Sequence, residues 1–172
     1  MKNVGKIFEE QLKKSAPSYS LLYRLPDAAQ SFGGSNLLRF SAKNPFDFLM
    51  WDSVGHILFA LEAKTVSGKS ISFERTKDEH GEIHSHQIKG LNDWQKYDGI
   101  IAGFIIEFRA LEKTIFITIE NFNKIMVAIN KKSFTLKDLE DNNISYFVIP
   151  QKKARTRFTY DLDYFMAEMR KN

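Results

Sequence analysis

Phe46-Asp47-Phe48-Leu49-Met50-Trp51-Asp52-Ser53-Val54-Gly55-His56-Ile57-Leu58-Phe59-Ala60-Leu61-Glu62-Ala63-Lys64 sets two apolar runs on either side of a turn-forming group, Asp52-Ser53-Val54-Gly55. Such a pattern predicts a β-hairpin. A turn symmetric about Ser53 and Val54 places Trp51 opposite His56 and Asp47 opposite Ala60. Side chains two apart share a strand face, so Asp47, Glu62 and Lys64 fall on one side. Ile57, Phe59, Leu61 and Ala63 fall on the other, the pattern of a face turned to a core. A slip of one residue would separate the set.

Two carboxylates a few ångströms apart on a partly buried sheet repel, and one is expected to hold a proton. A divalent cation removes that conflict. The Asp47 and Glu62 carboxylates, the backbone carbonyl of Ala63 and water form an oxygen-donor set suited to Mg²⁺ or Mn²⁺ rather than zinc. Lys64 can stabilise charge building on a phosphate or polarise an attacking water. These parts describe metal-assisted phosphodiester hydrolysis. Asp52 is a poorer candidate than Asp47. It sits at the turn, about seven strand residues from Glu62, which at ~3.3 Å per residue is more than about 20 Å. An E-x-K strand is equally the sequence of a surface hairpin with a Glu/Lys pair, and both readings stand at this point.

The chain has 172 residues and a mass of 19.9 kDa, the size of one domain, taken as residues 1–172. At 43% hydrophobic with fifteen Phe it can build a core, which excludes a disordered chain. The absence of Cys excludes disulfides, thiolate metal sites and a Cys nucleophile. The most apolar run, 99–108, is too short for a membrane span and contains Glu107. The N-terminus turns acidic where a signal peptide would be apolar, so a cytoplasmic location is expected.

Helical spacing of Val4, Ile7, Phe8 and Leu12 predicts a helix over 3–15 with Asn3 as N-cap and Ala16-Pro17 at its end. Strands are expected at 21–23, 99–108, 114–119 and 145–149. Helices are expected at 85–97, with Ser85 near the N-cap, and at 120–129, 135–141 and 160–169. Thr135 and Asp138 resemble a capping box. The order indicates an α/β domain with a mixed central sheet. Residues 25–43 and 68–82 show little regular period and read as loops.

Lys152-Lys153-Ala154-Arg155-Thr156-Arg157 places four cations in six residues beside Phe158 and Tyr160. The Lys152, Lys153, Arg155 and Arg157 strip suits phosphate contacts that position DNA without reading its sequence. Lys64, Lys69, Arg75, Lys77 and Lys89 could add to the field. His80, His84 and His86 stand in a polar stretch whose spacing matches no strong zinc motif. Phe46, Phe48, Trp51, Phe59 and Trp94 fall at strand or helix periods and read as core or dimer contacts. No P-loop or dinucleotide-binding fingerprint is present, and no nucleotide cofactor is expected.

Taken together, the motifs resemble the PD-(D/E)XK nuclease superfamily and, more closely, the RecU-type Holliday-junction resolvases. Gly5-Lys6-Ile7-Phe8-Glu9 resembles the family's first helix, Asn44-Pro45-Phe46-Asp47 its acidic motif and Phe59-Ala60-Leu61-Glu62-Ala63-Lys64 its E-A-K strand. His86-Gln87-Ile88 resembles the start of the following helix, and Asp98-Gly99-Ile100 the next strand. Lys137-Asp138-Leu139-Glu140 and the late basic segment also have counterparts in similar order. The resemblance implies a restriction-endonuclease-like core and a homodimer that cuts two opposed strands of a four-way DNA junction in recombination and repair. It implies metal ligation by Asp47 and Glu62, assistance to the nucleophile from Lys64, and positioning of water or metal by Glu9 and Gln87. A stalk-like insertion is expected at about 26–43, with its tip at Phe32-Gly33-Gly34-Ser35, and a long basic N-terminal extension is not. This compact form is compatible with a phage or mobile element. Two other readings stay open: the same chemistry on other DNA, as in restriction or repair, and a non-catalytic junction-binding protein.

Overall fold

The structure is a computed structural model and describes residues 3–26, 44–155 and 157–171. The stalk-like insertion expected at 26–43 lies, from residue 27 on, outside the described residues. The first helix, α1, spans Val4–Ser15, opened by the Asn3 side chain accepting from Gly5 N–H at 3.0 Å and closed by Ala16 and Pro17. Then follow β1 (Ser20–Arg24), β2 (Phe48–Asp52), β3 (Ile57–Val66), β4 (Ser70–Ser72), α2 (Ser85–Gln95) and β5 (Ile100–Phe108). A short 3₁₀ turn leads to β6 (Lys113–Thr118), α3 (Ile119–Ala128), β7 (Ser133–Thr135), α4 (Leu136–Asp141), β8 (Phe147–Ile149), β9 (Gln151–Ala154), β10 (Arg157–Tyr160) and α5 (Leu162–Met169).

The expected mixed α/β architecture is present. Six strands form a sheet in the order β1-β2-β3-β5-β6-β8, in which β3 and β5 run parallel and every other pair is antiparallel. Helices cover both faces. On one, Phe8 and Leu12 of α1 and Leu162, Phe165 and Met166 of α5 pack with Phe48, Met50, Phe59, Leu61 and Phe116. On the other, Ile88 and Leu91 of α2 and Phe122 and Ile125 of α3 pack with Ala60, Ala102, Phe104, Ile106 and Ile117. Burying each such large side chain contributes roughly 1.5–3 kcal/mol.

The hairpin forms, but not in the symmetric register. Asp52 pairs with Ile57 and Trp51 with Leu58, so Phe48 pairs with Leu61 and Asp47 comes level with the Leu61–Glu62 step, not with Ala60. The cause is a turn placed one residue later, at 53–56. Asp52 Oδ1 accepts from Val54 N–H at 3.0 Å, and His56 takes a left-handed conformation at φ 53°. The register moves by two residues, an even number, so the Asp47/Glu62/Lys64 side is preserved. The core is also not one-sided: Ala60 is as buried as Phe59.

Other elements differ in detail. The N-cap of α2 is His84, with Ser85 the first helical residue, next to the cap as expected. The last helix starts at Leu162, because Tyr160 completes β10 and the Asp161 side chain caps Tyr164 N–H at 2.9 Å. The 68–82 stretch is not all loop, since β4 pairs with β7. The Thr135–Asp138 capping box is present in both directions, at 2.9 and 3.2 Å. Of the aromatics read as core or dimer contacts, Phe46, Phe48 and Phe59 are buried, Trp94 packs partly buried against the core, and Trp51 is exposed.

Candidate active site

The site forms where β2 begins. Asp47, just ahead of that strand, is held from three sides. Its N–H donates to Leu61 O at 3.1 Å, its carbonyl accepts from Leu25 N–H at 2.8 Å, and its carboxylate Oδ2 accepts from Ala63 N–H at 3.0 Å. The segment leading into it lies directly on α2 at Gly90, where an added Cβ would come within 2.5 Å of Pro45 Cβ. Phe46 anchors the same segment, edge-on to Trp94 with ring centroids 5.0 Å apart.

Glu62 comes from the middle of β3 and is 2% exposed. Its Oε1 accepts from the Gln87 amide of α2 and lies 3.1 Å from Lys64 Nζ. Its Oε2 is buried with no hydrogen-bond partner. Burial, then the neighbouring Asp47 charge, push the Glu62 carboxyl up to about 8 despite Lys64. Asp47 is also raised, first by burial and then by Glu9, against the lowering effects of Ala63 N–H, Lys64 and Arg24. Burial thus disfavours the charge on both carboxyls, the Asp47 charge adds to that effect at Glu62, and Glu62 Oε2 finds no hydrogen-bond donor.

Glu9 reaches the same end of the sheet from α1, with Arg24 Nε at 2.5 Å from its Oε2. The structure therefore brings Glu9, Asp47, Glu62, Lys64 and Gln87 together, with Ala63 between the last two β3 side chains. Arg24 was not singled out by the sequence, which gives an isolated strand arginine no mark. Asp52 lies elsewhere, fully buried and gripped by Arg170 at 2.6 and 2.8 Å.

The basic strip forms a β-hairpin. Lys152, Lys153 and Arg157 lie on β9 and β10, and Arg155 occupies the turn at φ 59°. Arg157 pairs with Ala154 and Thr159 with Lys152, so strand alternation puts Lys152 and Arg157 on one face. Lys153, on the other face, pairs with Glu112 and lies over the Phe158 ring at 5.8 Å. The hairpin's root is tied to the sheet. Tyr160 hydroxyl donates to Glu107 Oε1 at 3.0 Å, and Glu107 Oε2 accepts from Thr65, the residue after Lys64, at 2.6 Å. Arg75 is not part of the field around the site. It binds the Met126, Ile129 and Lys131 carbonyls at the end of α3.

His84 and His86 stack at 5.5 Å, and His84 is engaged by Glu74. Among the described residues no group of three or more His, Asp or Glu side chains is arranged to hold a metal ion. Also among them, no helix is long and apolar enough to cross a membrane.

The fold and site define a mixed-sheet α/β protein with a buried glutamate, a half-buried aspartate and an adjacent lysine where the start of β2 meets the middle of β3. Residues 39–163 match the RecU family, recombination protein U, and the chain belongs to that family. It is also similar to YotM, an SPbeta prophage-derived uncharacterized protein of Bacillus subtilis (strain 168). The two are 30% identical over 183 residues, covering 97% of this chain and 87% of the relative.

Proposed function

We propose that the protein is a divalent-metal-dependent endonuclease that resolves four-way DNA junctions, built on a restriction-endonuclease-like core occupying residues 1–172 as one domain. The observation that carries this reading is Glu62 Oε2, a buried carboxylate oxygen without a partner beside a second, similarly disfavoured carboxylate. Membership in a recombination family supplies the substrate class.

The residues fit a hard cation. Asp47 and Glu62 supply carboxylate oxygens, and the Ala63 carbonyl adds a neutral oxygen, a set that suits Mg²⁺ or Mn²⁺ with water completing the shell. When bound, the cation supplies Lewis-acid stabilisation of a phosphate oxygen and a more acidic water. The chain's own groups do the rest. Lys64 holds a positive charge beside the reacting phosphate and orients the attacking water. Gln87 occupies Glu62 Oε1 and so keeps Oε2 open. Glu9, held by Arg24, positions water from the α1 side. Lys152, Arg155 and Arg157 contact phosphates along the hairpin, with Lys153 held closer to the body.

Resolving a four-way junction takes two cuts, and the chain carries one acidic centre of this kind among its described residues. A homodimer supplies the second. The protein is incubated with a synthetic four-way junction and with linear duplex of the same sequence, with and without Mg²⁺. Paired nicks near the branch that require metal are expected, and Asp47→Asn should abolish them while leaving junction binding nearly intact. Equal cutting of the duplex would replace junction resolution with a restriction or repair role. Tight binding without cutting would make the protein a non-catalytic junction binder.

A further inference from the structure

Four acidic residues are buried in the described structure, and the partners of three account for them. Asp52 binds Arg170, Glu107 binds Tyr160 and Thr65, and Glu62 belongs to the acidic centre. Glu74 is the fourth, 7% exposed, two residues beyond β4 and remote in sequence from every proposed site residue. Its Oε1 lies 2.7 Å from His84 Nδ1, and its Oε2 accepts from Ser85 N–H at 2.9 Å. Its own N–H donates to Ile83 O at 2.9 Å. The two segments approach closely enough that a Cβ on Gly81 would lie 2.7 Å from the Phe73 carbonyl carbon. Glu74 therefore brackets the first residues of α2.

The bracket leads to the acidic centre in two further bonds. His84 N–H donates to Gln87 Oε1 at 2.9 Å, and the Gln87 amide donates to Glu62 Oε1. The first bond sets the second. With its oxygen engaged by a backbone donor, the Gln87 amide must turn its NH₂ the other way; flipped, it would meet His84 N–H donor to donor. We propose that Glu74 is a positioning residue for the acidic centre. By gripping His84 and Ser85 it fixes the start of α2, orients the Gln87 amide, and so determines which Glu62 oxygen stays open. The consequence for cutting rests on the nuclease reading above; the consequence for Gln87 does not.

The test uses ¹⁵N-labelled full-length protein, with the Gln87 side-chain amide assigned by its loss in Gln87→Glu. The wild-type pair should be dispersed and slow to exchange with solvent. In Glu74→Ala it should move toward the position of a free amide and exchange faster. In Glu74→Gln it should stay, because the new carbonyl oxygen takes Ser85 N–H and the new NH₂ meets His84 Nδ1 in its other tautomer. A Gln87 amide unmoved in folded Glu74→Ala overturns the proposal. If that variant does not fold, Glu74→Asp, one methylene short of both partners, is read the same way. With Mg²⁺ and a four-way junction, Glu74→Ala should lower kcat by about ten-fold or more at unchanged KM, and Glu74→Gln should restore it. Wild-type cutting by Glu74→Ala overturns the proposal. Should the wild type cut no DNA, the nuclease reading fails and the amide result alone decides the role of Glu74.

Discussion

Lys64 Nζ and the Gln87 amide converge on the same oxygen, Glu62 Oε1, with the lysine at 3.1 Å. One oxygen of the buried carboxylate is thus doubly engaged and the other not at all. That asymmetry separates what Lys64 does for the folded chain from what it does for a substrate.

Lys64→Met keeps the stem that packs along the strand and removes the charge. Single-turnover cleavage of a four-way junction should fall by at least about 100-fold, with junction affinity little changed. Cleavage within about three-fold of the parent would remove Lys64 from the chemistry.

The acidic pair makes metal-free stability depend on pH in a stated direction. Glu62 is raised from 4.5 to about 8, burial first and the Asp47 charge second. Below pH 4.5 both folded and unfolded chains hold the proton, and the group has no effect. Between 4.5 and 8 the folded chain keeps a proton that the unfolded chain has lost, so stability falls as pH rises, by up to about 1.4 kcal/mol per pH unit. The raised Asp47 acts with the same sign. In EDTA the melting temperature should drop from pH 5 to pH 8, and Glu62→Gln should flatten that slope and melt higher than the parent at pH 8. Added Mg²⁺ should stabilise the parent more at pH 8 than at pH 5. An identical slope in Glu62→Gln would mean that another group sets it.

Gly90→Ala opposes two effects. Alanine favours a helix interior by about 1 kcal/mol over glycine. Here its Cβ would press within 2.5 Å of Pro45 Cβ and 2.7 Å of Pro45 O. Overpacking typically costs about 1–3 kcal/mol, so net destabilisation is expected, with loss of activity because Asp47 lies two residues on. Urea unfolding measures the sign; a stabilised and active variant would contradict the close approach.

Arg170→Ala leaves the Asp52 carboxylate, fully buried and held below its usual range by that guanidinium, without its partner. The cost should be roughly 2–4 kcal/mol. Lys171→Ala, which removes only an exposed pair with Glu168, should stay within about 0.5 kcal/mol. Equal effects from the two would show that the buried pair is no stronger than the exposed one.

Lys152 and Arg157 share the exposed face of the basic hairpin, whereas Lys153 is paired with Glu112. Removing Lys152 and Arg157 together should reduce the slope of log affinity against log salt by about 2 if each meets a phosphate, and Lys153→Ala should reduce it less. An unchanged slope in the double variant would move the DNA path off this arm.

Much of the fold was legible because its devices are local. Asn3 and Thr135 announced helix starts through side chains that reach two or three residues, and β3 announced itself through an apolar run after a turn-forming group. The Asp47/Glu62/Lys64 side was legible for the same reason, as face parity survives an even shift in register. What stayed hidden depends on contacts between distant segments. The hairpin turn could not be counted correctly because a left-handed His56 is uncommon. The hairpin under the basic strip carried no strand signal because its ladder lies between two very polar strands. Glu74, Gly90 and Arg24 carry no local signal, since each acts on a residue from another element.

The Tyr160–Glu107–Thr65 link has a mechanical consequence. It joins the root of the basic arm to the strand carrying Glu62 and Lys64 through two hydrogen bonds at a buried glutamate, with no glycine or proline between Arg157 and Tyr160 to act as a pivot. The arm therefore works as a fixed gauge rather than a tether. On the proposed nuclease reading, a phosphate gripped by this arm would lie at a constant number of nucleotides from the acidic centre, and lengthening β9 and β10 by a residue pair should displace the grip point along the DNA.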